Sequence, residues 1–280
     1  MIDKFYLEIT DVCNFDCSFC HKTSRPKKLM TMDEYQILTD KLIGKIQYLY
    51  FHLMGEPTLH PLLPQFIKIA KEKGFIPMLT TNGSLLHEKG PLLLDNLPHK
   101  ISISLHAPDA NPKFADPQYL VNCSSFARQA AEKGCYVSLR LWNLGSGVDN
   151  SNTLDVLHNE FPDEWVPIRG GTSLRLMRYV FLEWGDQFEW PDIGRKQCDA
   201  DSDVFCYALR NHVAALVDGT VVPCCLDADG NIPLGNLFTD DLDEILSSPR
   251  AKKIYDGFTR RRASEALCRT CGFVEKFKRG

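Results

Sequence analysis

Through the first two-thirds of the chain, short apolar stretches alternate with amphipathic ones, and few architectures accept that order. Residues 4–10 alternate in strand fashion. Thr31 and Glu34 predict a capping box for a helix whose apolar face is Tyr35, Leu38, Leu42 and Ile46. A mostly apolar strand follows at 48–54, a helix at 61–73 closed by Gly74, and a strand at 75–81. The pattern repeats with helix 84–96, strand 100–106, helix 117–133 ended by Gly134, and strand 135–142; a helix at 151–160 and a last strand at 173–181 complete it. Strands alternating with helices build parallel sheets. About six such units predict an α/β fold of the partial (β/α)6 TIM-type barrel class, with an open doubly wound sheet as the alternative. After residue 183 the character changes to loops, cysteines, a hairpin at 212–225 and a helix at 240–256. The predicted division is therefore a barrel over 1–182 and a small cysteine-rich module over 183–280.

A net charge of -4 excludes a general nucleic-acid or membrane-surface binder, although basic residues gather from Arg250 through Lys278 and Arg279, where a solvated helix face is expected. Nucleic acid is not expected as a partner. The first residues lack the basic and apolar regions of a signal peptide, and no apolar stretch is long enough to span a bilayer, so a cytoplasmic protein with no membrane partner is expected. Eleven cysteines are many for a reducing compartment. Seven of them fall into two groups with metal-ligand character, which bound metal explains better than disulfides.

The first group, Cys13-Asn-Phe-Asp-Cys17-Ser-Phe-Cys20, places three thiols within eight residues in the loop after the first strand. Three thiolates on a four-iron cubane leave one iron without a protein ligand, and chemistry requires such an open position. A structural zinc site with His21 as fourth ligand is the alternative, though its adjacency to Cys20 makes a tetrahedron awkward to close.

C-x3-C-x2-C with an aromatic before the last cysteine resembles the signature of the radical S-adenosylmethionine (SAM) superfamily. The resemblance extends along the chain. Gly55-Glu56-Pro57 resembles the segment that contacts the SAM amino group, and Thr80-Thr81-Asn82-Gly83 its usual turn after the third strand. Ser104 and His106 end the fourth strand, where the family places a ribose contact. Arg140 and Asn143 close the fifth, where similar enzymes hold the SAM carboxylate and ribose. Each of these groups ends a predicted parallel strand, and in barrels those ends share the rim that carries active sites. The resemblance implies a [4Fe-4S] cluster that binds SAM and cleaves it reductively. The resulting 5′-deoxyadenosyl radical abstracts hydrogen from a substrate, and the electron comes from a reductant such as flavodoxin or ferredoxin.

The second group is Cys206, Cys224, Cys268 and Cys271. Four thiolates with one C-x2-C pair can close a four-iron cluster or a zinc ribbon. With Gly219, Gly235-Asn236-Leu237 and the acidic stretch from Asp240, they resemble the twitch module related to SPASM. That resemblance implies one auxiliary [4Fe-4S] cluster. Cys225 could replace Cys224, and Cys198 could enter the site; Cys123 and Cys135 are expected to be buried, inert thiols. Asp227 to Asn231 is expected to be a polar turn, and Trp184, Phe188 and Trp190 packing for the interdomain connection. Asp199, Asp201 and Asp203 receive no catalytic role. The expected function is oxidation or crosslinking of a peptide or protein. The alternatives are a small-molecule dehydrogenase or cyclase and, remotely, a non-catalytic electron carrier.

Overall fold

The computed structural model describes residues 2–111, 113–168, 170–199 and 202–277. Asp201, Lys278 and Arg279, singled out from sequence, lie outside the described residues. In chain order the elements are β1 (Lys4–Leu7), α1 (Met32–Asp40), β2 (Tyr48–Tyr50), α2 (Leu63–Glu72), β3 (Ile76–Thr81), α3 (Leu86–Leu94), β4 (Lys100–Ser104) and α4 (Tyr119–Glu132). There follow β5 (Tyr136–Leu144), α5 (Ser151–Glu160), β6 (Val166–Pro167), β7 (Ser173–Met177), β8 (Val180–Asp186), β9 (His212–Ala215), β10 (Thr220–Val222), β11 (Gly235–Asn236), α6 (Leu242–Ser247) and α7 (Pro249–Thr259).

Six strands, β1-β2-β3-β4-β5-β8, run parallel in that order, and the sheet does not close, so the architecture is a partial barrel. The period-2 alternation of strands explains its two faces. Phe5 and Leu7 of β1 are buried toward the helices in a core with Tyr35, Leu38, Phe66 and Ile67, whereas Lys4 and Tyr6 face the barrel interior. Tyr35 stacks on Phe66 with centroids 4.1 Å apart and donates its hydroxyl to the Phe66 carbonyl at 2.8 Å. Burying each such ring contributes about 1.5–3 kcal/mol. The capping box of α1 is present in both directions: Glu34 N donates to Thr31 Oγ1 and Thr31 N to the Glu34 carboxylate. Gly74 and Gly134 both take φ of +84° just past α2 and α4, the left-handed conformation that lets a helix stop.

Two elements differ from the sequence expectation. The strand predicted at 173–181 is an antiparallel hairpin, β7 and β8, turning at Arg178-Tyr179 with Tyr179 at φ +67°. A tyrosine carries no turn signature, so periodicity ran through it. The helix predicted at 240–256 is broken into α6 and α7 at Ser248-Pro249, because the residue before a proline is driven out of the helical region. Ser248 is extended at ψ 152° and caps α7 by accepting from Ala251 N. Beyond β8, the strand β9 pairs in parallel with β1, and β10 and β11 extend the same sheet antiparallel. The sheet thus continues past residue 182, which itself lies inside β8.

Candidate functional site

The loop after β1 carries Cys13, Cys17 and Cys20, and polar side chains from the neighbouring strand ends hold it. Asn14, between the first two cysteines, accepts from Asn82 Nδ2 at 2.9 Å and donates to Ser84 Oγ at 2.8 Å. Asn111 donates to Cys17 Sγ at 2.9 Å and accepts from the Asp16 amide at 2.6 Å. Burial pushes the Cys13 thiol up to about 11 and raises Cys17 and Cys20 as well. Metal binding has to displace those protons. His21 turns its Nε2 toward Asp229 Oδ2 at 3.1 Å. Three thiols without a fourth side chain fit a cluster with one open iron.

Glu56 is a joint between rim segments. Its buried carboxylate accepts from Thr58 N and Oγ1, from Thr81 Oγ1 at 2.7 Å and from Asn82 N at 2.6 Å. Gly55 sits at φ +77°, and a Cβ there would stand 2.4 Å from the Thr10 carbonyl oxygen. The Glu56 amide donates to the Val12 carbonyl at 2.8 Å, so Gly55 to Pro57 lies directly against the stem of the cysteine loop. Gly83 is equally confined, with Cys123 Sγ 2.8 Å from its virtual Cβ; Cys123 and Cys135 are buried thiols raised to about 12 by burial.

Ser104, Arg140 and Glu183 are register partners on β4, β5 and β8. Arg140 lies over the Trp142 ring at 4.6 Å, with its Nε 3.6 Å from Glu183 and no hydrogen-bond partner. His106 Nδ1 lies 3.1 Å from the Arg140 carbonyl and 3.3 Å from the Trp142 amide, donating to the first or accepting from the second according to its tautomer, and the ring packs against Phe19. Ser104, His106 and Arg140 line one cavity. Asn143 instead pairs amide to amide with Asn150, where the β5–β8 register shifts.

That cavity, about 480 Å³, reaches from Phe19 and the barrel interior to Cys206, Cys224, Cys225, Cys268 and Cys271. Burial raises the thiols of Cys206, Cys224, Cys268 and Cys271, and Cys224 is raised further by its proximity to Cys225, Cys206, Cys268 and Cys271. Cys225 packs toward Leu53, Ala214, Leu216 and Val222. Cys198 lines a separate cleft with Asp203 and Cys268. Among the described residues, no group of three or more His, Cys, Asp or Glu stands close enough to hold a single metal ion. Four thiols with one C-x2-C pair can close a four-iron cluster or a zinc site.

Phe188 and Trp190, expected from sequence to pack the connection, line this cavity, because the chain crosses its mouth after β8. Sequence reasoning also missed Asn14, Asn111, Glu8, Arg25 and Asp229. Asn14 lies inside the cysteine motif and could have been suspected; the others act across 17 to more than 200 residues and leave no local pattern.

Residues 7–132 match the model of the Radical SAM superfamily, and residues 206–272 match the SPASM iron–sulfur cluster-binding domain. A tungsten-containing aldehyde ferredoxin oxidoreductase cofactor-modifying protein of Pyrococcus furiosus is 35% identical over 88 residues, 30% of this chain and 25% of that protein. A protein of Sulfolobus acidocaldarius named "Probable GTP 3',8-cyclase" is 32% identical over 164 residues, 54% of this chain and 49% of its own length. The matches thus span between a quarter and a half of these relatives. Among solved structures, BtrN in complex with AdoMet and 2-DOIA superposes with a TM-score of 0.61 at 16% identity, covering 97% of this chain and 93% of that one. Streptococcus suis SuiB, also solved bound to its precursor peptide SuiA, gives 0.63 at 15%, covering 98% and 72%. These likenesses establish the shared fold. The radical SAM domain implies a [4Fe-4S] cluster and SAM, and the SPASM domain implies auxiliary cluster binding. With three thiols in the loop after β1 of a partial barrel and four more lining the cavity inside it, the chain carries a radical SAM domain over residues 7–132 and a SPASM iron–sulfur cluster-binding domain over residues 206–272.

Proposed function

We propose that this protein abstracts hydrogen from a peptide or protein and oxidises or crosslinks it, using Cys13, Cys17 and Cys20 for the SAM-binding cluster and Cys206, Cys224, Cys268 and Cys271 for an auxiliary one. The observation that carries the reading is the single cavity shared by the rim residues Ser104, His106 and Arg140 and by all four C-terminal thiols. When bound, the reduced cluster and SAM supply hydrogen-atom abstraction, and the auxiliary cluster supplies an electron acceptor for the oxidised substrate. The chain's own residues supply placement. Gly55 to Pro57, Thr81 and Asn82 form the rim beside the cysteine loop, with Ser104, His106 and Arg140 inside it; Asn143 acts on the β5 turn. Phe19, Trp142, Phe188 and Trp190 wall the space between the two sites and exclude water from it.

Charge favours a peptide over a nucleotide. The formally charged residues lining the cavity are Lys4 and Arg140 against Asp186 and Asp227, a balance of zero. Burial drives His52 down to about 3, His212 to about 4 and His106 below its usual value, so the lining histidines add no cation at neutral pH. A triphosphate would find no matching set of cations there. A surface groove of about 620 Å³, lined by His21, Leu144, Glu189 and Arg195, meets the cavity at Phe19, Phe188 and Trp190. An extended chain can lie in such a groove while one side chain enters. The SuiB neighbour, crystallised with a peptide, shares this fold. A flavodoxin or ferredoxin would deliver the electron in the cytoplasm.

The test is an iron and sulfide count on anaerobically reconstituted protein, wild type against the Cys13/Cys17/Cys20 triple alanine variant. About eight irons should fall to about four, and 5′-deoxyadenosine should vanish. Its persistence in the variant would overturn the assignment. Deuterium carried into 5′-deoxyadenosine from a labelled peptide library supports the peptide substrate; transfer only from deuterated aminocyclitols would replace it with a small molecule.

A further inference from the structure

The three rim cysteines are not anchored alike. Cys13 and Cys17 are held from the barrel through Asn14 and Asn111. Cys20 is placed by the residues that follow it, and the C-terminal domain grips those residues. Asp229 Oδ1 accepts from Thr23 Oγ1 at 2.8 Å and the Ser24 amide at 3.1 Å, while Oδ2 takes His21 Nε2 at 3.1 Å. Arg25 donates to the Ala228 carbonyl at 2.9 Å and to both oxygens of buried Glu8 at 2.7 and 2.8 Å; Glu8 in turn accepts the Val217 amide at 2.9 Å. Between the two clamped residues His21 and Thr23 lies Lys22, at φ +62°. A non-glycine residue holds that conformation only where its surroundings impose it. On the other side, Asp229 follows Cys224 by five residues, in a turn closed by Asp227 accepting the Asn231 and Ile232 amides at 2.8 Å each.

We propose that Asp229 is a positioning residue for the SAM-binding cluster: by clamping residues 21–24 it fixes the segment that follows Cys20, and it ties that segment to the turn that carries Cys224. The inference rests on Cys13, Cys17 and Cys20 holding the cluster. The surroundings of a cluster and of its thiolates set its potential. Releasing the clamp frees residues 21–24 and, with them, the placement of the Cys20 thiolate.

The experiment compares Asp229→Ala and Asp229→Asn with wild type as full-length, anaerobically reconstituted protein. It reads the midpoint potential and EPR signal of the SAM-responsive cluster, and amide exchange over residues 21–25. Asp229→Ala should shift the potential, alter the signal and speed exchange at least tenfold, with the C-terminal iron retained as the control for folding. Asp229→Asn keeps the Oδ1 acceptor and should restore most of each value. Should Asp229→Ala fail to load C-terminal iron, Thr23→Val removes the same clamp from the barrel side and should shift the potential in the same direction by less. An unchanged potential and unchanged exchange in the folded variant overturn the proposal. A wild-type protein with no SAM-responsive signal would instead remove the cluster assignment beneath it.

Discussion

The two cysteine sites are built by opposite means. The N-terminal three come from a single loop of eight residues, with Cys13 exposed and Cys17 and Cys20 partly so. The C-terminal four are drawn from positions 65 residues apart, Cys206 to Cys271, and mutual proximity adds to burial in raising Cys224, Cys268 and Cys271. A local loop can leave one coordination position open and be adjusted by its neighbours. A site assembled from distant segments has every position filled by the chain and locks those segments together. The difference separates a site for chemistry from a site for electron storage and architecture.

The sharpest way to break that comparison is at Cys224 and Cys225, adjacent residues of which both border the cavity. Cys224 has Cys225, Cys206, Cys268 and Cys271 within electrostatic reach, whereas Cys225 reaches Cys206 and Cys271 but not Cys268 and packs against the small cluster around Leu53 and Val222. Cys224→Ser should therefore take the iron count from about eight to about four and abolish substrate oxidation, while uncoupled SAM cleavage continues. Cys225→Ser should leave the count unchanged. Iron lost from Cys225→Ser instead would exchange the two roles.

Gly55→Ala tests how tightly the open site depends on the rim. The new Cβ would meet the Thr10 and Val12 carbonyl oxygens at 2.4 and 2.9 Å, and φ of +77° adds strain. Clash and strain together should cost about 3 kcal/mol or more, read as a fall in Tm. They should also loosen iron at the N-terminal site alone. Equal loss from both sites would show that the two are not independent in the way their construction suggests.

Much of this was legible because its signals are local. The C-x3-C-x2-C loop, the capping box of α1 and the glycines past α2 and α4 are each written within a few residues. The six parallel strands followed from alternation, since each strand carries its own period. What escaped was either silent in turn chemistry, as at Arg178-Tyr179, or made by contacts between remote positions. Glu8 with Arg25 and Val217, and Asp229 with the cysteine loop, join residues that no window of sequence brings together. The paired thiols of the second site were found only because cysteine is rare enough to be conspicuous at any spacing.

Asn111 gives the smallest effect and the finest test. Its Nδ2 donates to Cys17 Sγ at 2.9 Å and to the Ala107 carbonyl at 2.6 Å, and its Oδ1 takes the Asp16 amide. Replacing it by Ala should cost about 1–3 kcal/mol, because Asn111 and the Ala107 carbonyl are buried and water can readily replace only the bond to the Asp16 amide. The bond to Cys17 has a second effect that water does not restore. It lowers the thiol against the upward push of burial, so it favours the thiolate that binds iron. Asn111→Ala should therefore leave both clusters in place but move the potential of the SAM-responsive one down by on the order of tens of mV. The auxiliary potential should stay fixed, since every bond Asn111 makes lies on the barrel side. A shift at both clusters would mean that the cavity couples them electrostatically, and that the open and closed sites act as one redox unit.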